Sequence, residues 1–195
     1  LGLVYCAYHV IGTEGEPLPD EPVVEPDEAL RGDVFALLLE ANRVSGSGSG
    51  VLILKSELDA AGDFDEELKA AEDWDMWLRL SQRCSFDYAA EDLVAIRRHG
   101  ASMQADKQHM LANLLRFFMK WFPEARPYAS VLRQWSHVIA EFALRSKDPA
   151  AARRLVEETL PAAMHRALFH RTWGSLRLHM LIKRLRTPHA NRAEP

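Results

Sequence analysis

The densest group of residues able to do chemistry is Gly62-Asp-Phe-Asp-Glu-Glu-Leu-Lys-Ala-Ala-Glu-Asp-Trp-Asp-Met-Trp-Leu-Arg-Leu80. Helical spacing over 71–82 puts Ala71, Trp74, Trp77, Leu78 and Ser81 on one face, where the two tryptophans either pack a core or line a cleft. Glu72 and Asp73 fall in the first turn, where unpaired N–H groups and the helix dipole favour negative charge. A carboxylate held there can take a proton from a hydroxyl that is becoming a nucleophile, provided it lies within hydrogen-bond reach. Spacing alone favours the plainer alternative, that both acids only complement the helix end. Asp75 and Arg79, four apart, are expected to pair along the helix surface.

Two D-x-D strings, Asp63-Phe64-Asp65 and Asp73-Trp74-Asp75, suggest a metal site. Positions i and i+2 of a helix diverge, which makes the second a poor chelate, and Asp65 in its turn is expected to bond local backbone N–H groups. Further on, Ile96-Arg-Arg-His-Gly-Ala-Ser-Met103 closes a strand-like stretch. Alternation puts Arg97 and His99 on one face, a guanidinium suited to phosphate beside an imidazole suited to a metal ion. A lone His is more often an ordinary surface or core residue. The run at 45–50 (Ser-Gly-Ser-Gly-Ser-Gly) reads equally as a flexible linker or as a loop, with Ser47, Gly48 and Ser49, that a ligand can approach closely.

These residues need elements to hold them. An aliphatic and aromatic run over 1–11 suits a buried strand, and 12–33, with four prolines and eight acids, suits a solvated loop. A short helix from Phe35 to near Asn42, a compact buried strand at 51–54, a turn at Gly62 and two short strands at 86–88 and 93–97 complete an α/β block. From 104 the pattern is helical only. Met110, Leu111, Leu114, Phe118, Trp121 and Phe122 form one apolar stripe that Pro123 should stop, and Tyr128 to Phe142 form a second. Asp148-Pro149 reads as the N-cap and first residue of a third helix. Two regions are therefore expected, 1–103 and a helical extension over 104–195. The segment 161–187 carries basic residues beside Leu178, Leu181, Ile182 and Leu185; it reads either as an ordinary terminal helix or as an amphipathic segment lying on an anionic membrane surface.

Across 195 residues the hydrophobic fraction is 48% and the charged fraction 27%, values of a globular protein. A net charge of −4 argues against a nucleic-acid binder. No run is long and apolar enough for a membrane span, and the N-terminus has neither the basic leader nor the cleavage site of a signal peptide. Cys6 and Cys84, each in an apolar stretch, read as reduced core thiols of a cytoplasmic protein rather than zinc ligands. The strand-like opening without Met reads as the continuation of something upstream.

Over residues 1 to about 122, the chain resembles family 2 glycosyltransferases of the GT-A fold. The resemblance rests on Gly62-Asp-Phe-Asp-Glu66 leading into Ala71-Glu-Asp-Trp-Asp-Met-Trp-Leu-Arg-Leu80, on Arg97-x-His99 followed by Ser102-Met103, on the Val4-Tyr5-Cys6 strand, and on Phe122-Pro-Glu124. It implies a partial GT-A-like mixed sheet with flanking helices, and an inverting enzyme moving a sugar from a nucleotide-sugar donor to an acceptor hydroxyl in polysaccharide or glycoconjugate synthesis. By the same resemblance Asp73 is the general base, with Glu72, Trp74 and Trp77 at the acceptor site. Arg97 and the 47–49 loop fall near the donor diphosphate, and His99 is a ligand of a divalent cation, Mg or Mn. The chain departs from the family in lacking a nucleotide-binding βαβ half and a usable D-x-D. Asp63 and Ile96 also replace the usual glycine and aromatic. The resemblance therefore implies an acceptor-side portion, cytoplasmic and peripheral on the inner face of the membrane. The competing expectation is a non-catalytic helical interaction or membrane-docking module derived from a truncated transferase.

Overall fold

A computed structural model describes residues 1–44, 46–98 and 106–169, apart from the side chain of Ser47. Strand β1 (Leu3–Ile11) forms because alternate side chains can be buried: Leu3, Tyr5 and Ala7 turn into the core with at most 1% exposure. It is the middle strand of a mixed sheet ordered β2-β1-β3. β2 (Val51–Ile53) runs antiparallel to it, and β3 (Phe86–Arg97) runs parallel, from Leu3 opposite Phe86 to Ile11 opposite Arg97. Where two short strands are expected from the sequence, β3 is one. Cys6 faces Ala89 but Ala7 faces Asp92, so the polar stretch bulges instead of breaking the strand. β2 is also not the buried strand expected: it is an edge, with Leu52 77% exposed.

Helices α1 (Phe35–Glu40), α2 (Lys55–Ala61) and α3 (Glu72–Ser81) lie in the crossover between β1 and β3. α2, with no buried residue, leaves too weak an apolar stripe to be read from sequence. The region that follows is helical: α4 (Lys107–Ala125), α5 (Ala129–Arg145), α6 (Pro149–Thr159) and α7 (Ala162–Phe169). Asp148 caps α6 as expected, accepting from the N–H groups of Ala150 and Ala151 at 3.0 Å. Pro123 does not stop α4. It sits in the last turn, removing one main-chain donor there, and the helix runs on to Ala125 before Pro127. The expected basic tail lies outside the described residues from position 170 onward, and no helix among the described residues is long and apolar enough to cross a membrane.

One hydrophobic core joins the sheet region to the helical region. Trp74 of α3 stacks on Phe117 of α4 at 4.3 Å, and Phe118 stacks on Trp135 of α5 at 4.5 Å. Two indole N–H groups then grip the C-terminal end of α1: Trp74 Nε1 donates to the Leu38 carbonyl at 2.6 Å and Trp135 Nε1 to the Leu39 carbonyl at 2.8 Å. Both carbonyls are among those a helix leaves unpaired at its end. Trp135→Phe keeps a ring against Phe118 but orphans the Leu39 carbonyl, and is expected to cost about 1–3 kcal/mol in urea unfolding.

Candidate functional site

The acid-rich segment around α3 divides its work between two carboxylates. Asp75 is fully buried. Its Oδ2 accepts from Arg79 Nε at 2.9 Å, and its Oδ1 from Trp121 Nε1 at 2.9 Å and Lys120 Nζ at 2.8 Å. The expected Asp75–Arg79 pair thus exists, but inside the protein instead of along its surface, because α4 covers it. Arg79 Nη1 reaches on to the Ala61 carbonyl at 2.6 Å, fixing the turn before α3. Lys120 also meets Asp65 Oδ2 at 2.7 Å, while Asp65 Oδ1 accepts the Glu67 N–H at 3.1 Å, the local role expected of it. Burial pulls the Lys120 ammonium down, but its bonds to Asp65 and Asp75 more than offset this and hold it above its ordinary value. The Lys120 hydrogen bond holds Asp65 below the ordinary carboxylate value, against partial desolvation and with help from the Glu67 N–H.

Asp73 faces a different environment. α3 begins after Ala71, whose φ of 65° and ψ of 16° make it the one non-glycine residue with positive φ among the described residues. A side chain there costs roughly 1–2 kcal/mol relative to right-handed backbone. The kink carries the chain from the 62–70 turn directly into the helix, with the Asp75 N–H donating to the Ala71 carbonyl at 3.0 Å. Asp73, half-buried, turns Oδ1 back to the Trp74 N–H at 2.6 Å, and Asn42 Nδ2 lies 3.5 Å from the same oxygen. The two ends of the Asp73-Trp74-Asp75 string therefore diverge, as helical geometry requires, and do not form a chelate.

The other site candidates are scattered. Trp74 and Trp77 are 5% and 1% exposed, and both indoles belong to the core. The buried Trp77 Nε1 has no hydrogen-bond partner among the described residues. Glu72 is half-buried beside Asp73. Arg97 is committed to the chain itself, donating from Nη1 to the carbonyls of Gly12 at 3.2 Å and Thr13 at 2.6 Å and so holding the acidic loop, while Arg98 pairs with Glu21. The backbone of Ser47, Gly48 and Ser49 makes a single 3-10 turn behind Gly46, which needs its φ of 73° to reverse the chain. His99 lies outside the described residues. Among the described residues, no three His, Cys, Asp or Glu side chains gather as a metal site.

A cavity of about 430 Å³ is lined by Asp33, Glu57, Ser81, Arg83, Cys84 and Ser85, among others. It lies at the C-terminal end of α3, roughly 12 Å of helix from Asp73, and none of the expected site residues lines it. Both cysteines are thiols; Cys6 is buried, and burial, with the Glu57 charge next, pushes the half-buried Cys84 up. Sequence reasoning missed Asn42 and Lys120. Each becomes relevant only through a partner more than 30 residues away, and local pattern carries no trace of that. Compared with known families and with curated proteins, the chain matches none. The fold and site together define a mixed α/β protein with a helical C-terminal region and a half-buried carboxylate at a strained helix start.

Asp75→Ala would leave Arg79, Lys120 and the Trp121 N–H without their shared acceptor, and an expected loss of about 3–5 kcal/mol should appear as a lower urea midpoint. Asp65 has a lowered folded-state pKa, so its stabilising share is complete above the ordinary value near 3.8 and is lost as pH falls through the folded value. Below about pH 4 the parent chain should therefore lose stability more steeply than Asp65→Asn, as followed by urea midpoints at successive pH values.

Proposed function

We propose that this chain is the acceptor-side part of an inverting glycosyltransferase, with Asp73 as general base. The carrying observation is the geometry at the start of α3: a half-buried carboxylate, held on one oxygen by the Trp74 N–H, behind an Ala71 forced into left-handed backbone. Strain of this kind gathers where a functional group must be aimed. The resemblance of 62–80 and 97–103 to the glycosyltransferase motifs gives that carboxylate its chemistry. In the step itself, Asp73 takes the proton of the acceptor hydroxyl and the freed oxygen pair forms a bond to the anomeric carbon of the donor. The bond from that carbon to the diphosphate breaks with its electron pair, and the sugar inverts in a single displacement. The substrates are a nucleotide sugar and a hydroxyl acceptor of a polysaccharide or glycoconjugate. A divalent cation would offset charge on the departing diphosphate.

The test is Asp73→Asn in the full-length protein, assayed for nucleoside diphosphate release across a panel of nucleotide sugars. Release is expected to fall by about 10²- to 10⁴-fold while donor binding, followed by calorimetry, is unchanged. Parent-level release in the variant would reject Asp73 as the base. Absence of turnover in both proteins would favour a non-catalytic interaction module.

A further inference from the structure

The contacts around Asp73 close a ring that runs through a residue no motif singles out. Trp74 donates its main-chain N–H to Asp73 Oδ1 and, through its indole, holds the Leu38 carbonyl at the end of α1. Four residues after Leu38 the chain has left the helix, with Ala41 extended at φ −155°. That exit brings Asn42 Nδ2 back to within 3.5 Å of Asp73 Oδ1. Trp135 locks the same helix end from the other side through the Leu39 carbonyl. The position of Asn42 is thus set by two buried indoles. Its own side chain is exposed, so little stability depends on it. A carboxylate oxygen can only accept, which assigns the NH₂ end of the amide to Asp73. A separation of 3.5 Å is the outer limit of such a bond, and catalytic contacts are often this long before substrate binds. The opposite end, the amide oxygen, accepts no hydrogen bond among the described residues and is open to a donor.

Resting on Asp73 as the base, we propose that Asn42 is its positioning residue, and that the Asn42 amide oxygen receives a second hydroxyl of the acceptor, selecting a vicinal diol such as a sugar over a simple alcohol. An amide bridging a carboxylate and a neighbouring hydroxyl fixes both the direction of proton transfer and the face of the acceptor presented to it.

The experiment compares Asn42→Ala, Asn42→Asp and Asp73→Asn with the parent in the full-length protein, using a methyl glycoside and a simple primary alcohol as acceptors. Asn42→Ala is expected to lower kcat by about 10- to 100-fold on the glycoside with donor KM and melting temperature unchanged, and to narrow the preference for glycoside over alcohol. Asn42→Asp, which sets a second carboxylate beside the base, should also move the acid limb of the kcat profile to higher pH. Should Asp73→Asn abolish transfer while both Asn42 variants keep parental kcat, acceptor preference and pH limb, the role of Asn42 is overturned and the base stands. Should Asp73→Asn itself keep transfer, the base is overturned and Asn42 with it. An independent reading is the side-chain amide resonance of Asn42 in ¹⁵N NMR: it should shift in Asp73→Asn, and an unmoved resonance overturns the contact.

Discussion

Everything near α3 depends on the burial of one charge. Asp75 has no exposure and satisfies its two oxygens with three donors from two helices, Arg79 on its own helix and Lys120 and Trp121 on α4. A carboxylate taken out of water without such partners would cost several kcal/mol, so the helix can take only rotations that bring the donors to it. Successive residues step about 100° around a helix, so the rotation that sinks Asp75 turns Asp73 roughly 200° away, toward the edge of the core. The aim of the candidate base is thereby set by a neighbour that takes no part in the chemistry. Arg79 and Lys120 carry the constraint further, to the Ala61 carbonyl and to Asp65, so the turn leading into the helix is tied to the same centre.

A second constraint works through aromatic side chains. Trp74 and Trp135 each bury a large ring and spend their single polar atom on a carbonyl at the end of α1. Each bond removes an acceptor that burial would otherwise leave unpaired. α1 has only six residues and would not hold as a helix by itself. Docked this way, it delivers the following segment to α3, and the helical region becomes part of the support of the site.

The architecture was largely legible in the sequence because its main signals are local. The Leu3 to Ile11 run, the stripes of α4 and α5 and the Asp148-Pro149 start are patterns of period two, period near 3.6, and cap chemistry. What escaped was decided by distant partners. The Asp75–Arg79 spacing identifies a pair, but nothing local says that α4 will cover it. The spacing of Trp74 and Trp77 fits a core and a cleft equally, and only the stacking on Phe117 puts Trp74 inside. Arg97, read as a ligand for phosphate, is spent on carbonyls of a turn 84 or 85 positions earlier. The bulge in β3 likewise follows from pairing with β1, which neither strand's own sequence announces.

The parallel pairing of β1 and β3 has a consequence for how the chain is made. Leu3 meets Phe86, and the last contact of the ladder waits for Arg97. At about 5–20 residues per second, a ribosome needs roughly 5 to 20 seconds between the two ends of that ladder. Throughout the interval the edge of β1 that pairs with β3 lacks its mate. Val24 and Pro17, which bridge to Tyr8 and Ile11, and the three-residue β2 reach the other edge sooner. The growing chain therefore carries a sticky, unfinished strand for that time, and chaperone engagement should concentrate on residues 1–50 of this sequence.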